Sequence, residues 1–405
     1  MSRRIDYDYG RGIIYGSDRK DKIYDKEGYY RVYGNGGNDK IDYTNSDSGA
    51  DLYGGDGDDT IKGSRRHDYI KGESGNDVIG GKDGNDEIYG GSGNDYIDGA
   101  KGRDSLYGGT GSDTINGGRG VDIIYGNSGN DLIHGNDDYD DINGGSGNDK
   151  LYGDSGNDSI YGRGDDDTII AGYGDDIVKG GAGNDKIYGE YGENKLYGGS
   201  GNDKIYDGEG RDTIYGNSGN DKIYLKKSSK NTVYTGSGKD TVYCNTKSNT
   251  INLGSNKDTI VFNETKKTNV VKFTNSTSSA VLQFSSGKMK AEMSSSDIVL
   301  TCGKNKVTIK NYQADNSLTV ISGTNKKSIE NLLPEIVSDE KASAPAKIAS
   351  APRMASSNMN AINQELVAWQ TSNTNSDMQV LTGTADTNAI PDVTAYFVQD
   401  PNVLG

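Results

Sequence analysis

The chain has 405 residues, of which 60 are glycine and only 31% are hydrophobic, and its formal net charge is -16. So little apolar material excludes a single conventional globular core for a chain of this length. No segment reaches the 18 or more apolar residues of a membrane span, and "MSRRIDYDYGRG" lacks the apolar stretch of an export signal, so we expect neither a span nor the usual export route.

Residues 1–53 contain imperfect copies of a repeat, such as "GNGGNDKIDY" from Gly34, and are interpreted as degenerate N-terminal repeats. From Gly54 to Tyr224 follow nineteen consecutive nonapeptides with no insertion and the pattern GGxGxDxUx, where U is Ile, Leu or Val. The sixth position is Asp in every unit except one, which has Asn194. One short motif therefore accounts for residues 54–224.

Each position of the motif has a physical reason. Glycines permit a tight turn that presents main-chain oxygens, the Asp adds a carboxylate, and the last three residues are predicted to form a short strand whose middle side chain points inward. Two units then make one flattened turn of 18 residues. This register predicts Ile97 over Ile115, and Asp95 beside Asp113, at the spacing of paired strands, about 4.8 Å.

The array resembles the nonapeptide repeats of RTX (repeats-in-toxin) proteins, also called haemolysin-type calcium-binding repeats. The resemblance implies an all-β fold, a parallel β-roll (right-handed β-solenoid), with Ca²⁺ held between loops of adjacent turns by main-chain carbonyls and one Asp from each loop. It assigns the role of calcium ligand to Asp39, Asp59, Asp68, Asp77, Asp86, Asp95, Asp104, Asp113, Asp122, Asp131, Asp140, Asp149, Asp158, Asp167, Asp176, Asp185, Asp203, Asp212 and Asp221.

The donor chemistry agrees with calcium. Ca²⁺ accepts six to eight oxygens, whereas zinc favours Cys or His, and the two histidines, His67 and His134, are far apart and predicted to be exposed. Residues 54–224 hold 35 acidic and 16 basic residues, and aspartates one turn apart repel each other by about 1 to 3 kcal/mol per pair. The sequence therefore predicts that several Ca²⁺ ions bind and that folding and binding are one event.

Residues 225–333 are predicted to continue the roll with little metal and to end it with a β cap. Strand motifs persist as "NTVY", "DTVY", "NTIN" and "DTIV", but the loops fill with Lys, Ser and Asn. From Ser279, "SAVLQF", "DIVLTCGKNKVTIKNY" and "LTVI" are interpreted as antiparallel strands, the second resembling the strand pair that follows RTX arrays. Cys244 and Cys302 are too few for a disulfide framework and are predicted to be buried thiols.

Residues 334–405 are interpreted as a flexible Pro- and Ala-containing linker, a short amphipathic helix at 358–371, and a polar tail. In the RTX family an uncleaved C-terminal signal of this character directs type I secretion, so the type I apparatus is an expected partner. The alternative is an ordinary disordered tail. With no N-terminal export signal, we expect the protein to reach the extracellular space by this C-terminal route.

No catalytic motif is evident. HExxH and GxSxG are absent, and "GDSGND" at Gly153 and "TGSGKDT" at Thr235 are explained by the repeat. We expect a secreted, non-enzymatic calcium-binding protein with a structural, adhesive or surface-associated role. The alternative is an accessory or polysaccharide-acting protein whose catalytic part lies elsewhere.

Tyrosines at the ninth position recur at 18-residue intervals, as in Tyr188, Tyr206 and Tyr224. They either support the sheet by stacking or offer a platform to cell-surface glycans. We expect no nucleic-acid partner.

Overall fold

The computed structural model describes residues 3–7, 12–25, 28, 30–225, 230–245, 248–263, 268–274, 278–285, 288–294, 297–312, 317–322 and 325–329. The predicted linker, helix and secretion signal lie outside the described residues. The described part is built from β-strands that alternate between two sheets, and it contains no helix long and apolar enough to cross a membrane.

Sheet A contains the odd-numbered strands of the repeat array and the last two strands. Its members are β1 (Arg3–Tyr7), β3 (Asp21–Asp25), β5 (Lys40–Asp42), β7 (Thr60–Lys62), β9 (Val78–Asp83), β11 (Tyr96–Lys101), β13 (Thr114–Arg119), β15 (Leu132–Asp137), β17 (Lys150–Ser155), β19 (Thr168–Tyr173), β21 (Lys186–Tyr188), β23 (Lys204–Tyr206), β25 (Lys222–Leu225), β27 (Thr241–Cys244), β29 (Lys257–Phe262), β31 (Ser279–Phe284), β35 (Ser317–Ser322) and β36 (Asn325–Ser328).

Sheet B contains the even-numbered strands and a terminal hairpin. Its members are β2 (Gly12–Tyr15), β4 (Tyr30–Gly36), β6 (Asp51–Asp56), β8 (Tyr69–Ser74), β10 (Glu87–Ser92), β12 (Ser105–Thr110), β14 (Ile123–Ser128), β16 (Asp141–Ser146), β18 (Ser159–Gly164), β20 (Ile177–Ala182), β22 (Lys195–Ser200), β24 (Thr213–Ser218), β26 (Thr232–Tyr234), β28 (Thr250–Leu253), β30 (Thr268–Phe273), β32 (Met289–Ser294), β33 (Asp297–Cys302) and β34 (Asn305–Lys310).

The parallel register follows the sequence period. Ile97 of β11 pairs with Ile115 of β13, and Ile88 of β10 with Ile70 and Leu106, as the predicted turn requires. The eighth-position aliphatic side chains are fully buried and form one column in each sheet, and Cys244 and Cys302 are buried in the same core, as predicted. The predicted parallel β-solenoid is confirmed.

The strands are longer than the predicted three residues. β11 runs from Tyr96 to Lys101, so it continues through the first two glycine positions of the next unit. Gly99, at the first position, is buried, as Ile97 is. A strand of six residues therefore faces inward at positions eight and one. At Gly99 a Cβ atom would lie 2.6 Å from Oδ2 of Asp104, although Ala171 occupies the same position in a later unit.

The end of the solenoid differs in part from the antiparallel prediction. β33 pairs with β32 and β34 in antiparallel fashion, as expected, but β31 is parallel to both β29 and β35. The alternation of apolar and polar residues in "SAVLQF" indicates only that one face of the strand is buried. It does not indicate whether the strand is parallel or antiparallel to its neighbours, because either direction buries the same face. Phe262 and Phe284 stack in this region, where the side chains that fill the core are larger than in the array.

Candidate metal centres

The sixth-position side chains form two buried rows, one at each edge of the flattened solenoid. Row A precedes the strands of sheet A and comprises Asp39, Asp59, Asp77, Asp95, Asp113, Asp131, Asp149, Asp167, Asp185, Asp203, Asp221, Asp240 and Asp258. Row B precedes the strands of sheet B and comprises Asp68, Asp86, Asp104, Asp122, Asp140, Asp158, Asp176, Asn194, Asp212, Asn231, Asn249 and Asn269.

Within a row, each carboxylate uses one oxygen to join adjacent turns. The main-chain N–H of Asp95 donates to Oδ1 of Asp113 at 2.8 Å, and the N–H of Asp113 donates to Oδ1 of Asp131 at 2.8 Å. The same bond recurs through both rows, including where Asn replaces Asp, as from Asp176 to Asn194. The predicted pairing of Asp95 with Asp113 is confirmed.

The second oxygen, Oδ2, is buried and has no hydrogen-bond partner at almost every predicted site. Among the described residues this holds for Asp39, Asp59, Asp77, Asp86, Asp95, Asp104, Asp113, Asp122, Asp131, Asp140, Asp149, Asp158, Asp167, Asp176, Asp185, Asp203, Asp212, Asp221 and Asp240. Buried polar atoms are rarely left unpaired, so a repeated unpaired carboxylate oxygen indicates a ligand that the protein chain does not supply.

Glycine at the first position frames the space beside Oδ2. A Cβ atom built on Gly90 would collide with Oδ2 of Asp95 and with the carbonyl oxygen of Gly108 in the next turn. Gly108 has the same relation to Asp113 and Gly126. Each site thus brings a carboxylate oxygen and a main-chain carbonyl oxygen to the same side of a glycine, a donor set that suits a hard cation such as Ca²⁺.

No group of three or more His, Cys, Asp or Glu side chains able to hold a metal occurs among the described residues. The further oxygen atoms beside each Oδ2 that the structure shows are main-chain carbonyl oxygens, such as that of Gly108 near Asp95. His67 is exposed as predicted, whereas His134 is half-buried and stacks on Tyr152, with ring centroids 4.3 Å apart. Stacking on a neighbouring ring within the sheet explains why His134 is half-buried.

Without a cation these carboxylates resist ionisation. Burial raises the pKa of Asp86 to about 8, because desolvation disfavours the charged form, and the like charges of Asp68 and Asp104 raise it further. Burial likewise raises the pKa of Asp221 to about 8, with Asp240 and Asp203 adding to the effect. A divalent cation between turns would oppose both shifts, because a nearby positive charge favours the ionised carboxylate.

Row B ends its series of unpaired oxygens by replacing Asp with Asn. Nδ2 of Asn194 donates to the carbonyl oxygen of Gly189 at 2.8 Å, so the amide occupies the space beside the first-position residue. Nδ2 of Asn231 donates to Oδ2 of Asp207 at 3.0 Å. In both cases an amide hydrogen makes the contact that a cation would otherwise make.

At two further sixth positions, a hydroxyl group of the chain donates a hydrogen bond to the carboxylate. Ser64 donates from its main-chain N–H and from its hydroxyl to the Asp68 carboxylate, at 2.6 to 3.0 Å. The hydroxyl of Thr235 donates to Oδ2 of Asp258 at 2.9 Å. Asp68 is thus the one predicted ligand whose Oδ2 already has a partner within the chain.

Sequence reasoning missed Asp240, whose Oδ2 is buried and unpaired like the others. The frame slips by one residue before it, so that the N–H of Asp221 reaches Oδ1 of Asp240 over 19 residues. The signal was present in "GKDTVY", which keeps the Gly, Asp and aliphatic positions. Counting in strict steps of nine hid it.

A family model for the RTX calcium-binding nonapeptide repeat matches residues 14–47, 53–88, 81–106, 107–142, 134–169, 143–178, 170–205 and 197–226, together more than half of the chain. The chain belongs to the RTX calcium-binding repeat family. Its array binds Ca²⁺ at multiple sites, and the unpaired oxygens above fit that ion.

Two solved structures show weaker likeness. One is a hyperactive, Ca²⁺-dependent, β-helical antifreeze protein from an Antarctic bacterium, 20% identical, with a TM-score of 0.28, covering 68% of this chain and 84% of that one. The other is the extracellular lipase LipA from Serratia marcescens, 15% identical, with a TM-score of 0.14, covering 59% of this chain and 43% of that one. Scores this low carry no argument about function. No curated protein matches the chain.

Proposed function

We propose that this RTX protein is a secreted scaffold that folds when Ca²⁺ binds and then acts as a structural or adhesive element outside the cell. The observation that supports this most directly is the repeated unpaired Oδ2 in both rows. Each belongs to a buried carboxylate whose ionised form opposes folding until a cation neutralises it.

The proposed ligands are the aspartates with an unpaired Oδ2, together with main-chain carbonyl oxygens of the glycine turns. They include Asp240, which the sequence analysis did not assign, and they leave out Asp68, whose carboxylate is held by Ser64. Bound calcium supplies positive charge between turns and performs no chemical step. We therefore propose no catalytic role for this chain.

Far-ultraviolet circular dichroism tests the coupling of folding to calcium. In a chelator the chain should lack β-structure, and millimolar Ca²⁺ should restore it, as suits the weak affinities of extracellular sites. Mg²⁺ should not replace Ca²⁺, because it demands a tight octahedron and retains its waters. Equal spectra in chelator and in calcium would refute the proposal.

Export is proposed to use residues 356–405. A chain that stays unfolded where calcium is scarce can pass through a narrow channel, and folding outside would prevent its return. Secretion from a host with a type I apparatus tests this: removing residues 356–405 should retain the protein in the cytoplasm and leave calcium-induced folding intact. Unchanged export of the truncated chain through the same transporter would contradict this assignment.

A further inference from the structure

Three successive turns of sheet A carry a lysine at the same outward-facing position, exposed in the first and third turns and half-buried in the middle one. The hexapeptide "GNDKIY" occurs at Gly183, Gly201 and Gly219, and its lysines are Lys186, Lys204 and Lys222. Lys204 pairs in register with both of the others, which places the three lysines in one line at the strand spacing of about 4.8 Å. We call this line the lysine strip.

The positive charges of the lysine strip are not balanced by ion pairs with acidic side chains of the described residues. Among the described residues none of its three lysines forms an ion pair, although Lys101 and Lys310 elsewhere each bond to an aspartate. Like charges placed directly opposite each other destabilise a sheet. Three such charges are thus maintained together at some cost to the fold, in an array that is otherwise acidic.

Neutral side chains border the strip on both sides. On one side Asn184, Asn202 and Asn220 form a ladder in which each side-chain oxygen accepts the N–H of the next turn's residue, and Lys239 continues it. At one end, hydrogen bonds from Asn184 lower the pKa of Asp166, and Lys186 adds to this effect. The strip itself remains positive.

On the other side lies a tyrosine ladder. Tyr188, Tyr206 and Tyr224 stack in parallel with ring centroids 4.7 and 4.6 Å apart, and Tyr243 follows at 4.7 Å. Neighbouring rings cover both faces of Tyr206, so a ligand meets ring edges and hydroxyl groups. This geometry argues against the open-faced stacking platform that single-stranded nucleic acids require.

We infer that the lysine strip and its tyrosine ladder bind a linear anionic polysaccharide lying along the solenoid axis. Evenly spaced lysines match a polymer that bears carboxylate or sulfate groups at regular intervals, and ring edges with hydroxyl groups match the hydroxyl groups of its sugars. In the same row Thr168 precedes Lys186, with Lys150 one turn further back, and Thr241 follows Lys222. The unbroken run of lysines is therefore local to three turns. The inference rests on the proposed extracellular role and names its partner.

Binding to immobilised chondroitin sulfate in millimolar calcium tests the inference. The full chain should bind, and added NaCl should weaken binding because screening acts on exposed charges. The triple variant K186Q/K204Q/K222Q should lose about tenfold or more in affinity. The triple variant K101Q/K179Q/K195Q changes the net charge equally at lysines outside the strip and should stay within about twofold of the wild type.

The contribution of the tyrosine hydroxyl groups to binding should be measurable as a smaller loss of affinity. Tyr206→Phe keeps the ring stack and removes one hydroxyl, and should weaken binding by a few-fold, consistent with about 1 kcal/mol for one hydrogen bond. Neutral dextran should not bind.

Equal loss in the two triple variants, or absence of wild-type binding while circular dichroism shows a folded chain, would overturn the inference. Oligothymidylate bound as tightly as chondroitin sulfate would overturn the choice of a polysaccharide. A chain that fails to fold in calcium would instead refute the proposed function, and the inference with it.

Discussion

Rows A and B have the same backbone register but different side-chain chemistry. In row A every residue from Asp39 to Asp240 has an unpaired buried Oδ2, and the series stops where Thr235 binds Asp258. In row B the series runs from Asp86 to Asp176, is interrupted at Asn194 and stops at Asn231. An amide can therefore hold the same turn that a carboxylate holds, and what differs is the need for a cation.

The largest expected effect comes from removing calcium altogether. Between Asp77 and Asp176 both rows have unpaired oxygens, whereas beyond Asn231 row B consists of Asn residues. In chelator, hydrogen exchange should therefore show protection lost between residues 77 and 176 at lower chelator concentrations than between residues 249 and 310. Loss of protection at the same concentration in both regions would show that the amides of row B add no local stability.

When calcium is absent, acid should stabilise the fold as calcium does, because protonation also removes the negative charge of the buried carboxylates. The folded-state pKa of Asp86 is raised from 3.8 to about 8 and that of Asp77 to about 6. A raised pKa means that the stability contributed by these groups is fully present below pH 3.8 and is lost as the pH rises through about 6 to 8.

A circular dichroism titration in chelator should accordingly show more β-structure at low pH than at neutral pH. In calcium the trend should reverse, because binding needs the ionised carboxylate and affinity falls as protons compete. Equal or smaller β-structure content at acid pH than at neutral pH in chelator would contradict the raised pKa values.

A single carboxylate of row A should matter more than a nearby carboxylate on the outer face of the sheet. Asp113→Ala removes the unpaired Oδ2 and the bond from the N–H of Asp95, so calcium stoichiometry should fall and the free energy of unfolding in excess calcium should drop by about 3 kcal/mol. Asp98→Ala, at the ninth position of the unit that contains Asp95, one turn earlier, is the matched control. Equal losses by calorimetry would show that the rows do not hold the ions.

The smallest effect should come from replacing Asn194, which interrupts the aspartates of row B, with aspartate. Asn194→Asp exchanges an amide that donates to Gly189 for a buried carboxylate, so in chelator the free energy of unfolding should fall by about 1 to 3 kcal/mol. In calcium the variant should bind one more ion and regain that loss. Asp185→Asn, at the equivalent place in row A, should bind fewer ions; an unchanged stoichiometry in both variants would show that the interruption has no bearing on calcium.

The period of the sequence determined most of the fold. A fixed repeat of nine residues with one aliphatic position dictates that Ile97 lies over Ile115 and Asp95 beside Asp113, because paired parallel strands leave no other register that buries every aliphatic side chain. The choice of oxygen ligands follows from the Gly and Asp positions alone. These features depend only on residues within one motif.

The tertiary structure decided which carboxylates remain without a partner. Thr235 reaches Asp258 from the turn before, across 23 residues, and Nδ2 of Asn231 reaches Oδ2 of Asp207 across 24 residues. It also decided the parallel direction of β31 and the covered faces of the tyrosine rings. Contacts such as these form between turns, and the local pattern around each residue is the same whether or not a neighbouring turn supplies a donor.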